Sequence, residues 1–115
     1  MLLYDADCRF CRFCVRAVDR LDRHERLALL GFRDERATPL LTGVPEEVRY
    51  ASWHLAQPDG TVVSAGAAFR PLLERLAPRA RWLAPLLGAA YPLVARRRGL
   101  LGRLVPDGPA PARFP

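Results

Sequence analysis

Apolar residues fall in short clusters along the 115-residue chain, and their spacing predicts one element after another. Leu2 to Tyr4 reads as a short buried strand. From Cys8 to about Arg23 a helical period takes over: Phe10, Cys14, Ala17, Val18 and Leu21 share one stripe, with Arg16, Asp19, Arg20 and Arg23 mostly off it. Asp7 stands where an N-cap belongs. Leu27 to Phe32 is a second strand, reached through the polar connection Asp22 to Arg26. Asp34 to Leu41 suggests a short helix interrupted by Pro39 and ending near Gly43, Val44 and Pro45. Tyr50 to Gln57, then Pro58-Asp59-Gly60, then Thr61 to Ser64 is a β-hairpin with an Asp-Gly turn.

Beyond Gly66 the helical period returns through Phe69, Leu72, Leu73 and Leu76 and stops near Pro78. A last helical stretch puts Leu83, Leu86, Leu87, Ala90 and Val94 on one face, and Pro85 and Pro92 must start, kink or divide it. The order β-α-β-α-β-β-α-α describes an α/β sandwich: a mixed four-stranded sheet flanked by helices, with a helical segment added at the C-terminal end. No internal repeat or linker divides the chain. Residues 1–104 are therefore expected to form one domain, and the Pro/Gly/Ala-rich residues 105–115 a disordered tail.

Composition narrows the class. Half the residues are hydrophobic and about a quarter charged, enough for an apolar core without disulfide staples. The longest largely uncharged stretch, Trp82 to Ala95, falls short of a spanning helix and contains two prolines. With no leader-like segment before the first strand, a cytoplasmic setting is expected. There a close Cys pair is more often catalytic or metal-binding than structural. The net charge of +6 is uneven: residues 1–63 hold 9 Arg and 10 acids, residues 64–115 hold 9 Arg and 2 acids, and there is no Lys.

The chemistry concentrates in Asp5-Ala6-Asp7-Cys8-Arg9-Phe10-Cys11. A Cys-x-x-Cys pair follows a strand and opens a helix, where unpaired N–H groups and the positive end of the dipole favour thiolate over thiol. Thiolates in such settings have pKa values of roughly 3.5–7.5, against about 8.5 for a free thiol. Arg9 and Arg12 add positive charge. The spacing near a βαβ pattern is a thioredoxin-like redox signal, with Cys8 as nucleophile and Cys11 as the resolving thiol. The plain alternative is two incidental cysteines at a helix start.

Cys14 extends the series and invites a metal reading. A ferredoxin run would need Cys-Pro further on, yet position 18 is Val and the chain has no fourth cysteine. Zinc would need His24 or His54, whose spacings fit no familiar pattern. Arg12 in place of His excludes a c-type haem attachment. A buried, inert thiol is the role expected of Cys14.

Tyr4-Asp5-Ala6-Asp7-Cys8-Arg9-Phe10-Cys11 resembles the opening of the DCC family of thiol-disulfide oxidoreductases, named for an Asp-x-x-Cys-x-x-Cys motif that Asp5, Cys8 and Cys11 match. The family usually has Gly where this chain has Ala6. Tyr91-Pro92-Leu93-Val94-Ala95-Arg96-Arg97-Arg98 resembles the family's late Tyr-x-x-aliphatic-Ala-x-Asn-Arg segment, with Arg97 in place of Asn. The resemblance implies a thioredoxin-like fold and dithiol chemistry. Arg9-Phe10 between the cysteines lends no redox potential from better-known relatives. Pro45 lies nearest the place of a thioredoxin-type cis-proline, but Glu46 to Arg49 separate it from the next strand, and it is not assigned that role.

Asp5 is the supporting candidate, either accepting a proton from a thiol or holding the loop by hydrogen bonds, and the second is preferred. His24 and His54 suit surface or packing roles. Arg96-Arg97-Arg98 reads as a solvated helix end matched to the dipole, a reading preferred over contact with a membrane surface. Nothing resembles a nucleic-acid motif. The function expected is thiol–disulfide exchange at Cys8 and Cys11, with no bound cofactor. Its partners would be a disulfide-containing protein or small-molecule thiol and an external reductant. The alternatives are a Cys-cluster metal-binding module and a non-catalytic interaction domain with a basic C-terminal helix.

Overall fold

Strand β1 (Leu2–Tyr4) is buried on both sides, and its three side chains divide between two cores. The computed structural model describes residues 1–23 and 26–113. His24 lies outside them, as do Glu25 and the last two residues of the expected tail. From β1 the chain forms helix α1 (Arg9–Leu21), strand β2 (Leu29–Gly31), a 3₁₀ segment (Glu35–Leu41) and the short helix α2 (Glu46–Arg49). The hairpin β3 (His54–Ala56) and β4 (Val62–Ser64) follows, then α3 (Phe69–Leu76), α4 (Ala84–Arg96) and α5 (Arg98–Leu104), with 3₁₀ turns at Ala65–Ala68 and Pro78–Leu83.

The four strands make one sheet in the order β2-β1-β3-β4. β2 runs parallel to β1, with Leu3 opposite Leu30; β3 runs antiparallel to β1, with Leu2 opposite Leu55. Alternate side chains on a strand face opposite sides. Leu2, Tyr4, Leu29 and Leu55 therefore pack with Val15, Ala68 and Leu72 from α1, the 3₁₀ turn before α3, and α3. Leu3 and Leu30 pack on the other side with Phe32, Ala37, Leu41 and Val44. Each fully buried side chain of this size contributes about 1.5–3 kcal/mol. The mixed four-stranded sheet with flanking helices is consistent with the thioredoxin-like fold that the sequence implies.

His54 on β3 is buried without a charge to meet it. Nε2 lies 2.7 Å from the Arg49 carbonyl oxygen and Nδ1 2.6 Å from Ser64 Oγ. A carbonyl can only accept, so Nε2 carries the proton and Nδ1 accepts from the serine hydroxyl. Desolvation lowers the imidazole pKa below its usual value. His54 is a packing residue of the sheet.

Two local expectations need correction. The face of α1 that meets the sheet carries Cys11, Val15 and Val18, whereas Cys14, Ala17 and Leu21 are exposed. Cys14, Ala17 and Leu21 align with Phe10 and Val18 in the sequence, but the sheet packs against the neighbouring side of the helix. The hairpin loop is Pro58-Asp59-Gly60, as the sequence indicates. Pro58-Asp59 occupy a turn closed by Gly60 N–H to Gln57 O, and Gly60 takes the left-handed φ of 90° that such a loop requires.

Residues 105–113 are the second. The expected tail runs back along α1 because its carbonyls, which cannot bond within a Pro/Gly-rich segment, accept from arginines on that helix. Arg9 donates to Val105 O at 2.8 Å, Arg12 to Gly108 O at 3.2 Å and Arg16 to Pro106 O at 2.8 Å. Arg113 then pairs by two backbone hydrogen bonds with Leu29 at the β2 edge.

Helix α4 sits close to the turn before α3. A Cβ on Gly66 would lie 2.9 Å from the Gly88 carbonyl oxygen, so this contact tolerates no side chain on Gly66. The close approach sets one wall of the groove described next.

Candidate active site

The loop from β1 into α1 is held by the first residue of the Asp-x-x-Cys motif. Asp5 Oδ1 accepts the Asp7 N–H at 3.0 Å, and the Asp5 carbonyl accepts the Cys8 N–H at 3.2 Å. This Asx turn delivers the chain to the helix with Cys8 in extended backbone, φ −91° and ψ 118°. Cys8, not Asp7, is the N-cap of α1: its Sγ accepts the Cys11 N–H at 3.3 Å. Asp7 turns outward, 3.8 Å from Arg33. The turn also has room for Ala6, because a Cβ on Gly31 would stand only 3.0 Å from the Ala6 methyl and β2 has glycine there.

The cysteines face different surroundings. Cys8 lies in a shallow recess with Phe10 and the α5 residues Arg98, Gly99 and Gly102. Gly102 is buried there, and a Cβ on it would come within 3.4 Å of the Phe10 nitrogen. Cys11 and Cys14 line a separate apolar groove of about 300 Å³ between α1, α3 and α4. Its far wall is aromatic: Trp53 and Phe69 meet edge to face at 5.2 Å, and Phe69 and Tyr91 at 6.0 Å. Asp5 also lines it, and Arg98 lines both groove and recess.

Electrostatics separates the two thiols of the pair. Burial raises the Cys11 pKa strongly; the hydrogen bond and charge of Cys8 raise it further, Asp5 adds to this, and Arg98 opposes it. Cys11 is therefore held as a protonated thiol. Cys14 is pushed up to about 11 by the groove around it and then by Cys8. Arg12 is not a free cation beside the cap. Its guanidinium donates to Ala6 O at 2.9 Å and to Asp107 at 2.7 Å.

A model of the DCC1-like thiol-disulfide oxidoreductases matches residues 2–104. The chain belongs to this family. Searches of curated proteins and of solved structures returned no match.

In this DCC1-like chain the three residues of the opening motif converge on one helix end, and both tips of the late segment, Tyr91 and Arg98, come to the same groove as Asp5 and Cys11. Cys14 is exposed on the groove rather than buried as the sequence suggests. Cys8, Cys11 and Cys14 are all free thiols. Among the described residues no group of three His, Cys, Asp or Glu side chains stands where it could hold a metal ion. Also among them, no helix is long and apolar enough to cross a membrane. Arg98 lines both recess and groove although the sequence places it in a solvated Arg run; only the folding of α5 back onto α1 separates it from Arg96 and Arg97.

Proposed function

We propose that this chain is a thiol–disulfide oxidoreductase in which Cys8 is the nucleophile and Cys11 the resolving thiol. The observation that carries the reading is the Cys11 N–H aimed at Cys8 Sγ from the first turn of a helix. That bond holds Cys8 Sγ at the open N-terminal end of α1, with Cys11 one turn behind it. Cys8 S⁻ attacks a substrate disulfide, forming a Cys8–substrate bond and releasing one substrate thiolate. Once Cys8 is bonded, its negative charge and its hydrogen bond no longer hold the proton on Cys11, while Arg98 still favours the thiolate. Cys11 then loses its proton, attacks Cys8 Sγ and releases the second substrate thiolate. The dithiol has given up two electrons and two protons, and an external thiol reductant restores it.

Asp5 is a positioning residue in this scheme, since its carboxylate holds the loop that presents Cys8. The substrate is a disulfide in a protein or a small molecule. The test uses the small aromatic disulfide 5,5′-dithiobis(2-nitrobenzoate). Cys11→Ser should accumulate a stable mixed disulfide on Cys8, visible by mass spectrometry, whereas the parent chain should release it and form Cys8–Cys11. Equal behaviour of the two proteins would overturn the assignment.

A further inference from the structure

Helix α4 carries more apolar surface than the core uses. It buries Ala84 and turns Tyr91, Val94 and Ala95 inward, but Leu86 is 61% and Leu93 59% exposed. These two are seven residues apart, two helical turns, and so lie on one side. Trp82, just before the helix, is 66% exposed, and Leu104 at the end of α5 is 74% exposed. Sequence periodicity put Leu86 with the core-facing stripe; the fold leaves it in water.

Along α4 and α5 the charge has one sign. Every charged residue between Glu74 and Asp107 is Arg, seven in all. A second copy of the chain would bring the same positive charge to the contact and be repelled. A Trp beside arginines on a short apolar helix is instead the composition that settles at a lipid headgroup boundary, with guanidinium groups reaching phosphates and Leu and Trp entering the acyl edge. Among the described residues no helix is long enough to cross, so the contact is with the surface. We propose that the outer face of α4 with α5 docks on an anionic lipid bilayer. Arg98 and Arg103 of α5 also line the Cys8 recess, so docking would bring the thiol pair close to that surface.

The test is co-sedimentation of the full chain with vesicles of phosphatidylcholine alone and of an equimolar mixture with phosphatidylglycerol. Binding should require the anionic lipid, weaken with salt and shift Trp emission to the blue, a shift absent in Trp82→Phe. Leu86→Asp/Leu93→Asp should abolish it, and Arg96→Gln/Arg97→Gln should weaken it by about tenfold or more. All of these side chains are exposed, and thermal melts overlaying the parent chain would show that the fold is intact. Absence of binding to anionic vesicles at low salt would overturn the proposal. So would binding that Leu86→Asp/Leu93→Asp leaves unchanged, or self-association that the same variant removes in place of vesicle binding. Retained vesicle binding by Cys8→Ser keeps this result separate from the redox reading.

Discussion

Cys8 Sγ accepts the Cys11 N–H at 3.3 Å, so one atom both caps α1 and is the proposed nucleophile. The two roles come apart by substitution. Serine retains a capping oxygen, and alanine retains none; losing a cap costs about 1 kcal/mol. Cys8→Ser should melt with the parent chain, and Cys8→Ala should be less stable by about that amount, while both lose disulfide exchange altogether. Urea denaturation and a disulfide-reduction assay read the two effects separately.

Arg98 faces both the recess of Cys8 and the groove of Cys11, and its charge favours the Cys11 thiolate. Arg98→Gln should slow the second step, the release of a mixed disulfide from Cys8, by up to about tenfold for each pKa unit by which Cys11 rises. The lag should shrink as pH is raised, because base then does what the guanidinium did. Stopped-flow release of nitrothiobenzoate from preformed mixed disulfide measures it.

The buried His54 makes stability depend on pH. Its pKa in the folded chain lies below the ordinary value of 6.5, so the unfolded chain binds a proton first as pH falls. Stability from this group is complete above about pH 6.5 and declines as pH drops from there toward the folded value. Urea midpoints at successive pH values should show this decline, and His54→Gln should flatten it.

The returning C-terminal segment ties to α1 through Arg113. Its guanidinium meets the buried carboxylate of Asp22 at 2.6 Å, the Leu27 carbonyl and Asp19, while the Tyr4 hydroxyl donates to Pro111 O at 2.5 Å. Asp22 also accepts the Arg26 and Leu27 N–H groups, so removing Arg113 leaves it partly satisfied. Arg113→Ala should lower stability by about 1–3 kcal/mol in urea denaturation. An unchanged midpoint would mean that the segment does not dock.

What the sequence made legible was local. β1, the start of α1 and the β3–β4 hairpin each announce themselves within a few residues, through an apolar triplet, a Cys-x-x-Cys after a strand, and Pro58-Asp59-Gly60. What it hid depends on contacts between distant segments. Cys11 rather than Cys14 faces the core because the sheet selects one side of α1, and Cys14, Ala17 and Leu21 are apolar enough to mimic the other. Cys8 caps the helix although cysteine is not a usual cap, because the Asp5 turn places it there. The docking of residues 105–113 depends on arginines ninety or more positions earlier, which no local pattern reveals. Arg98 belongs to the site only because α5 folds onto the end of α1.

The central claim is that the two cysteines of the motif differ in reactivity and act as a pair. The most direct measurement is competitive alkylation of the reduced chain with iodoacetamide across pH, each thiol followed by mass spectrometry, then repeated after mild oxidation. Cys8 should be modified first at neutral pH with Cys11 lagging, and oxidation should protect both as one Cys8–Cys11 disulfide that dithiothreitol reopens. Three thiols modified at one rate, with no bond between Cys8 and Cys11 after oxidation, would contradict the account.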